Sequence, residues 1–180
     1  MADFAFRLTH AAWLDSGVYE DVEADKHATG QALAVVVLSS LAAGIGSVRT
    51  GGAAGIIWGT VGALAGWFIW AYLTYLIGTR LLPEPTTEAT YGELLRTTGF
   101  SSAPGLIRIL GLIPLLGAIA FFVAAIWMLA AMVIAVRQAL DYKSTWRAIG
   151  VCLIGWVIQA VILAVVLAVT GGLGGVQQPA

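Results

Sequence analysis

Acidic residues are missing from every long apolar stretch of this chain: none lies between Asp25 and Glu84, between Glu93 and Asp141, or after Asp141. Proton and ion pathways through membranes usually recruit such acids, so the sequence offers no intramembrane carboxylate for a pump. Cysteine is nearly absent too. The single Cys152 sits in an apolar run, allows neither an internal disulfide nor a thiolate metal cluster, and reads as a packed, unreactive thiol. The two histidines, His10 and His27, lack the paired spacing of metal sites, and no carboxylate pair, activated serine or Cys/His arrangement can be nominated. The expectation is a protein with no catalytic residue, no metal and no cofactor.

Charge is scarce overall. Only 11% of the 180 residues are charged and 59% are hydrophobic, with a mean hydropathy of +0.90, whereas soluble domains are about a quarter charged. The chain is an integral membrane protein. Its net charge of -1 hides an uneven layout: six of the ten acids precede residue 28, opposed there only by Arg7 and Lys26. That segment does not seek nucleic acid or anionic lipid by charge.

Uncharged windows locate the spans at residues 31–48, 50–79, 109–136 and 148–180, each near or beyond the ~20 apolar residues a crossing helix needs. The first follows about thirty polar and acidic residues rather than a short basic region, so it is read as an uncleaved span. Residues 99–113 are the difficult case. As an α-helix they reach only about 22 Å, short of a ~30 Å hydrocarbon core. If this segment crosses, one side of the membrane collects Arg7, Lys26, Arg80, Arg96, Arg137, Lys143 and Arg147, and the other exposes only Arg49. Basic residues accumulate in cytoplasmic loops, which favours five spans with the third one short, the N-terminus in the cytoplasm and the C-terminal tail outside. Pro114 then ends the third helix and turns the chain into the fourth.

Arg108 lies inside that short helix, where a charge costs a few kcal/mol unless it snorkels or finds a partner. Its candidate partners are backbone carbonyls, Gln159, lipid phosphate, water, or a loop carboxylate such as Glu93. One reading is a site for an anionic headgroup or a partner's acid, with Arg96 and Gln159 as further candidate contacts. The plainer and favoured reading is an arginine near the end of a thin helix that reaches to the nearer headgroups.

In the second span, Gly55, Gly59, Gly62 and Gly66 continue a stripe that begins at Gly51. Such small-residue stripes let membrane helices approach closely, and packing within the same chain is favoured over a dimer seam. Trp67, Trp70, Tyr72 and Tyr75 crowd the end near Arg80, as interfacial rings do. Ser39, Ser40, Thr60 and Thr74 are expected to bond their own helix backbones.

The chain divides into an acidic, amphipathic segment (1–28), a five-span membrane domain (29–172) and a flexible tail (173–180). Phe4, Phe6, Leu8, Trp13, Leu14, Val18, Tyr19 and Val22 give the first segment apolar footing for one or two helices on the cytoplasmic face or on a partner; a disordered leader is the alternative. The overall class is an all-α membrane bundle preceded by a cytoplasmic helical segment.

From "YGELLRTTGFSSAPGLIRILGLIPLLG" to "VRQALDYKSTWRAIGVCLIGW" the sequence resembles the Yip (Ypt-interacting protein) family in its bacterial form. The resemblance rests on Tyr91, Arg96, Gly99, Phe100, Ser101 and Pro104, then Trp127, the Ala139-Leu140 ending, and Trp146, Arg147 and Ala148 at the start of the last span. It implies a five-span helical domain with a cytoplasmic N-terminus. Eukaryotic members are linked to Rab-type GTPases and vesicle traffic, but the Asp-Leu-Tyr-Gly-Pro element associated with them is missing ahead of the first span, which argues against carrying a GTPase partner over. The expected role is a non-enzymatic scaffold or accessory subunit in a bacterial inner membrane, organising lipid or traffic and associated with the bilayer, other membrane subunits or a second copy. The alternative is a small transporter, channel or lipid-handling protein with its polar site at Arg108.

Overall fold

The computed structural model describes residues 3–169, and among them every regular element is helical. The expectation of a flexible tail at 173–180 lies outside the described residues. The elements are α1 (Phe4–Ala12), α2 (Ser16–Ala24), α3 (Ala28–Gly46), α4 (Val48–Leu76) continued by a π-helical turn (Ile77–Leu81), α5 (Tyr91–Phe100), a 3₁₀ segment (Ala103–Leu112), α6 (Gly117–Ala139) and α7 (Thr145–Val169). Four of these, at Ala28–Gly46, Val48–Leu81, Gly117–Ala139 and Thr145–Val166, are long and apolar enough to cross a membrane.

Local chemistry sets the boundaries. Asp15 caps α2 by accepting from the Gly17 N–H, and α5 opens on a reciprocal capping box between Thr90 and Glu93. Near its start α4 kinks at Gly52, whose φ of 60° is a conformation glycine adopts at little cost.

The third region is not the single α-helix over 99–113 that the hydrophobic pattern suggests. Pro104 enters the first turn of a ten-residue 3₁₀ segment instead, which rises ~2.0 Å per residue against ~1.5 Å in an α-helix. This segment runs beside α3 in the same direction. Gly99 packs on Ala32, Gly105 on Ser39 and Gly111 on Gly46. On its other side lies α6, where Ala120 and Ala124 are buried and Met128 reaches Gly105.

One end of the bundle is closed by α1 and α2. Arg7, only 2% exposed, donates to Asp21 at 2.8 Å and Gln31 at 3.0 Å and pairs with Asp25 at 2.9 Å. Arg96 donates from α5 to the carbonyls of Val22 and Glu23. The loop after α4 and the α6–α7 turn meet at the same end, where Glu84 accepts from the Lys143 and Ser144 backbones and pairs with Arg147. The N-terminal segment is therefore two docked helices. Val18, Tyr19 and Val22 are buried in the core, while Trp13 stays 76% exposed with its ring edge toward Trp127.

Candidate functional site

At the opposite end α4 diverges from α6 and α7 and leaves a cleft of about 450 Å³ bounded by α3, α4, the 3₁₀ segment, α6 and α7. Its floor is aromatic. Trp67 donates its Nε1–H to the Leu95 carbonyl at 3.0 Å, and Trp70 places its Nε1 3.1 Å from the Met132 sulfur. Both rings are about 6% exposed, so they are core residues rather than the interfacial rings the sequence pattern suggests. Tyr72 does remain half exposed.

Arg108 enters this cleft from the 3₁₀ segment. With about three residues per 3₁₀ turn, positions three apart lie on one line, and Gly105, Arg108 and Gly111 accordingly form the edge that faces α3. The Arg108 Nε–H donates to the Gly105 carbonyl at 3.0 Å, and Nη2 donates to the Ser39 carbonyl at 3.0 Å and the Ser39 Oγ at 2.7 Å. The Arg108 backbone lies at the level of Gly46, the last residue of α3, whereas Ser39 is seven residues further in, about 10 Å along the helix. The guanidinium thus turns inward. This corrects the reading of a side chain that snorkels to the nearer headgroups.

Gly105 makes that turn possible. A Cβ there would overlap the Ser39 Oγ and come within 2.6 Å of Arg108 Nη2 and 2.9 Å of the Met128 sulfur. Ser39 and Gly105 were not visible as site residues, because Ser39 resembles Ser40, Thr60 and Thr74. Those three do donate to their own helix carbonyls. The signal for Gly105 was its place three residues before an intramembrane arginine.

The other candidate residues separate. Gln159 lines the same cleft, with no hydrogen bond to Arg108. Arg96 lies elsewhere, 6% exposed and engaged with α2. Glu93 is the capping-box carboxylate of α5 and not a partner of Arg108. The glycine stripe is open among the described residues: a Cβ built on Gly55, Gly59, Gly62 or Gly66 meets none of them within 4 Å. Among the described residues nothing packs on this stripe, contrary to the expected packing within the chain, and Gly55, Gly59 and Gly66 form a wall of the cleft. Close approach falls instead to Gly46, Gly99, Gly105 and Gly111.

The motif residues have structural work. The Tyr91 hydroxyl donates to the Phe68 carbonyl at 3.3 Å, Gly99 admits Ala32 and Trp67, and Pro104 is buried at the start of the 3₁₀ segment. Arg147 holds Glu84 and the Pro83 carbonyl, while Trp146 is 80% exposed. Among the described residues no cluster of His, Cys, Asp or Glu could hold a metal. At the capped end, burial next to Asp141, Glu93 and Glu20 outweighs the pull of Arg96 and pushes the Glu23 carboxyl up to about 7.

Compared with known proteins, residues 16–167 match the family model of the Yip1 domain. No curated protein and no solved structure matches the chain.

Proposed function

The chain belongs to the Yip1 domain family, and from that premise we propose that it is a non-enzymatic membrane scaffold, a bacterial-type inner-membrane member whose capped end holds a partner subunit or a second copy. The observation that carries this reading is the double arginine clamp. Arg7 and Arg96 are both nearly buried and spend their hydrogen bonds fastening α1 and α2 to the bundle. Such groups preorganise a surface, and the cap presents exposed Phe6, Trp13, Asp15 and Glu20 in fixed positions.

The same reading includes five crossings with the capped end in the cytoplasm. End to end, ten α-helical residues of α5 and ten 3₁₀ residues reach about 35 Å, enough for a ~30 Å core. The contacts of Gly99, Gly105 and Gly111 along α3 support this path. With it, seven of the nine basic residues gather on the capped side and Arg49 alone on the other, the asymmetry expected of a cytoplasmic face.

Gentle extraction from the native membrane, followed by intact-complex mass measurement, tests the role. A stoichiometric companion or homo-oligomer that Phe6→Glu or Trp13→Ser releases, with the membrane helices still folded, is the expected result. A protein that emerges alone with bound lipid only would remove the scaffold reading.

A further inference from the structure

Arg108 is charged, half-buried and uncompensated. Its three hydrogen bonds go to neutral oxygens of Ser39 and Gly105, and among the described residues no carboxylate pairs with it. None of the ten acids lies in α3, α4, the 3₁₀ segment, α6 or α7. A guanidinium inside a membrane without a counter-charge is costly, and an anion entering the cleft removes that cost.

Three features of the cleft say which anion. First, the guanidinium turns inward to Ser39 rather than outward, so it faces an occupant of the cleft instead of the headgroup layer. Second, Gly105 lets the guanidinium lie at this depth on the cleft wall, because a side chain there would collide with Arg108 Nη2 and the Ser39 Oγ. Third, the walls are mixed: Ser39, Ser40, Ser102 and Gln159 stand with the arginine on the lining, and Trp67, Trp70, Phe121 and Met128 make its apolar part. The side formed by α4 is bare backbone at Gly55 and Gly59, next to exposed Ile57, Trp58 and Val61. A small hydrophilic anion would use the polar groups and leave the aromatic part of the walls uncovered. An amphiphile uses both, because its chains leave past the glycines into hydrocarbon while its head meets the charge.

We propose that the cleft binds the phosphate headgroup of an anionic membrane lipid from the leaflet at the Arg49 end, with Arg108 as counter-charge and the acyl chains running along the glycine wall of α4. The cleft volume of about 450 Å³ takes a headgroup and not a whole lipid, which is why the open side matters. This site requires only that α3 and α4 span the membrane and stands apart from the scaffold role at the other end.

The test uses the full chain in nanodiscs of equal phosphatidylglycerol and phosphatidylcholine, transferred to mild detergent for native mass spectrometry. One phosphatidylglycerol per chain is expected, enriched about five- to tenfold over phosphatidylcholine, as befits one basic contact. Arg108→Gln abolishes the enrichment. Gly59→Trp gives a second readout that leaves Arg108 in place: it fills the cleft from a wall where a Cβ meets nothing, so the lipid is lost while the melting temperature holds. Equal retention of the two lipids, or retention unchanged in Gly59→Trp, would overturn the proposal. Displacement of the lipid by inorganic phosphate alone would assign the site to a free anion and overturn it too. So would a co-purifying protein that protects Gly59→Cys from labelling in lipid-free preparations.

Discussion

Gly46, the last residue of α3, lies against the backbone carbonyl of Arg108 so closely that a Cβ would overlap it. Backbone meets backbone there, and neither side can rotate away.

Gly46→Ala is therefore expected to destabilise the bundle by about 1–3 kcal/mol, the range of overpacking in a tight core. Gly59→Ala, four residues from a neighbour in the same obvious stripe but facing open space, is expected to be neutral or slightly stabilising because alanine favours the helix. Thermal melting of the two variants in one detergent gives the comparison. Equal losses would mean that the α4 stripe is covered in the folded protein.

That pair also marks what could be read in the sequence. The long apolar windows located α3, α4, α6 and α7 because hydrophobic length alone decides a crossing helix. The third region is longer than an α-helical rise predicts, because residues 103–112 follow the longer 3₁₀ rise. An α-helical period also hides the packing glycines. At a period of 3.6 the α4 stripe stands out and Gly105 and Gly111 do not; at a period of three they line up with Arg108. Ser39 could not be told from its neighbours by residue type, since its role depends on which segment lies opposite. Arg108 was visible from the start as a charge without an acid nearby, but not the direction in which it points.

The Arg7 clamp predicts a cap that can be loosened separately. Arg7→Met removes the pair to Asp21 and Asp25 and the bond to Gln31, and the partly exposed carboxylates keep some hydration. A cost of about 1–3 kcal/mol is expected, between surface and buried pairs, and it appears as faster proteolysis in residues 13–27 with α3–α7 intact. The hydrogen bond from Arg7, helped by the His27 N–H, holds Asp25 below its ordinary value. A depressed carboxylate stabilises the fold above its unfolded pKa and loses that effect as pH falls through the folded value. Below the ordinary aspartate value of 3.8, acid should thus loosen the cap of the parent protein more than that of Arg7→Met.

Glu23 predicts the opposite slope. Its folded value of about 7 lies above the ordinary 4.5 through burial, with Asp141, Glu93 and Glu20 adding to it and Arg96 opposing. Below 4.5 the carboxyl is neutral in both states and costs nothing; as pH rises from 4.5 to 7 the unfolded chain ionises first and the fold loses stability. Glu23→Gln is expected to melt with the parent at pH 4.5 and above it at pH 8. The gain at pH 8 is on the order of 1 kcal/mol once solvent screening of this half-exposed group is counted. A variant that melts lower at both values would show that the carboxylate is instead held by a favourable contact.

The number of crossings is decided by which side of the membrane sees the turn at Leu115. That residue is 94% exposed, between the 3₁₀ segment and α6, and carries a φ of 74°. In a Cys152→Ser background, cysteines at Thr50, Thr87, Leu115 and Lys143 report one loop each. With five crossings, Thr50→Cys and Leu115→Cys react with a membrane-impermeant maleimide from outside the cell, and Thr87→Cys and Lys143→Cys react only after permeabilisation. If α5 and the 3₁₀ segment only re-enter, the chain crosses four times, and Leu115 and Lys143 exchange sides while Thr50 and Thr87 stay as they are. That exchange would also move Arg137, Lys143 and Arg147 to the outer face. Because α6 turns back from Leu115 along the same 3₁₀ segment, with Met128 near Gly105 and Phe121 near Gly46, the five-crossing pattern is the expected one.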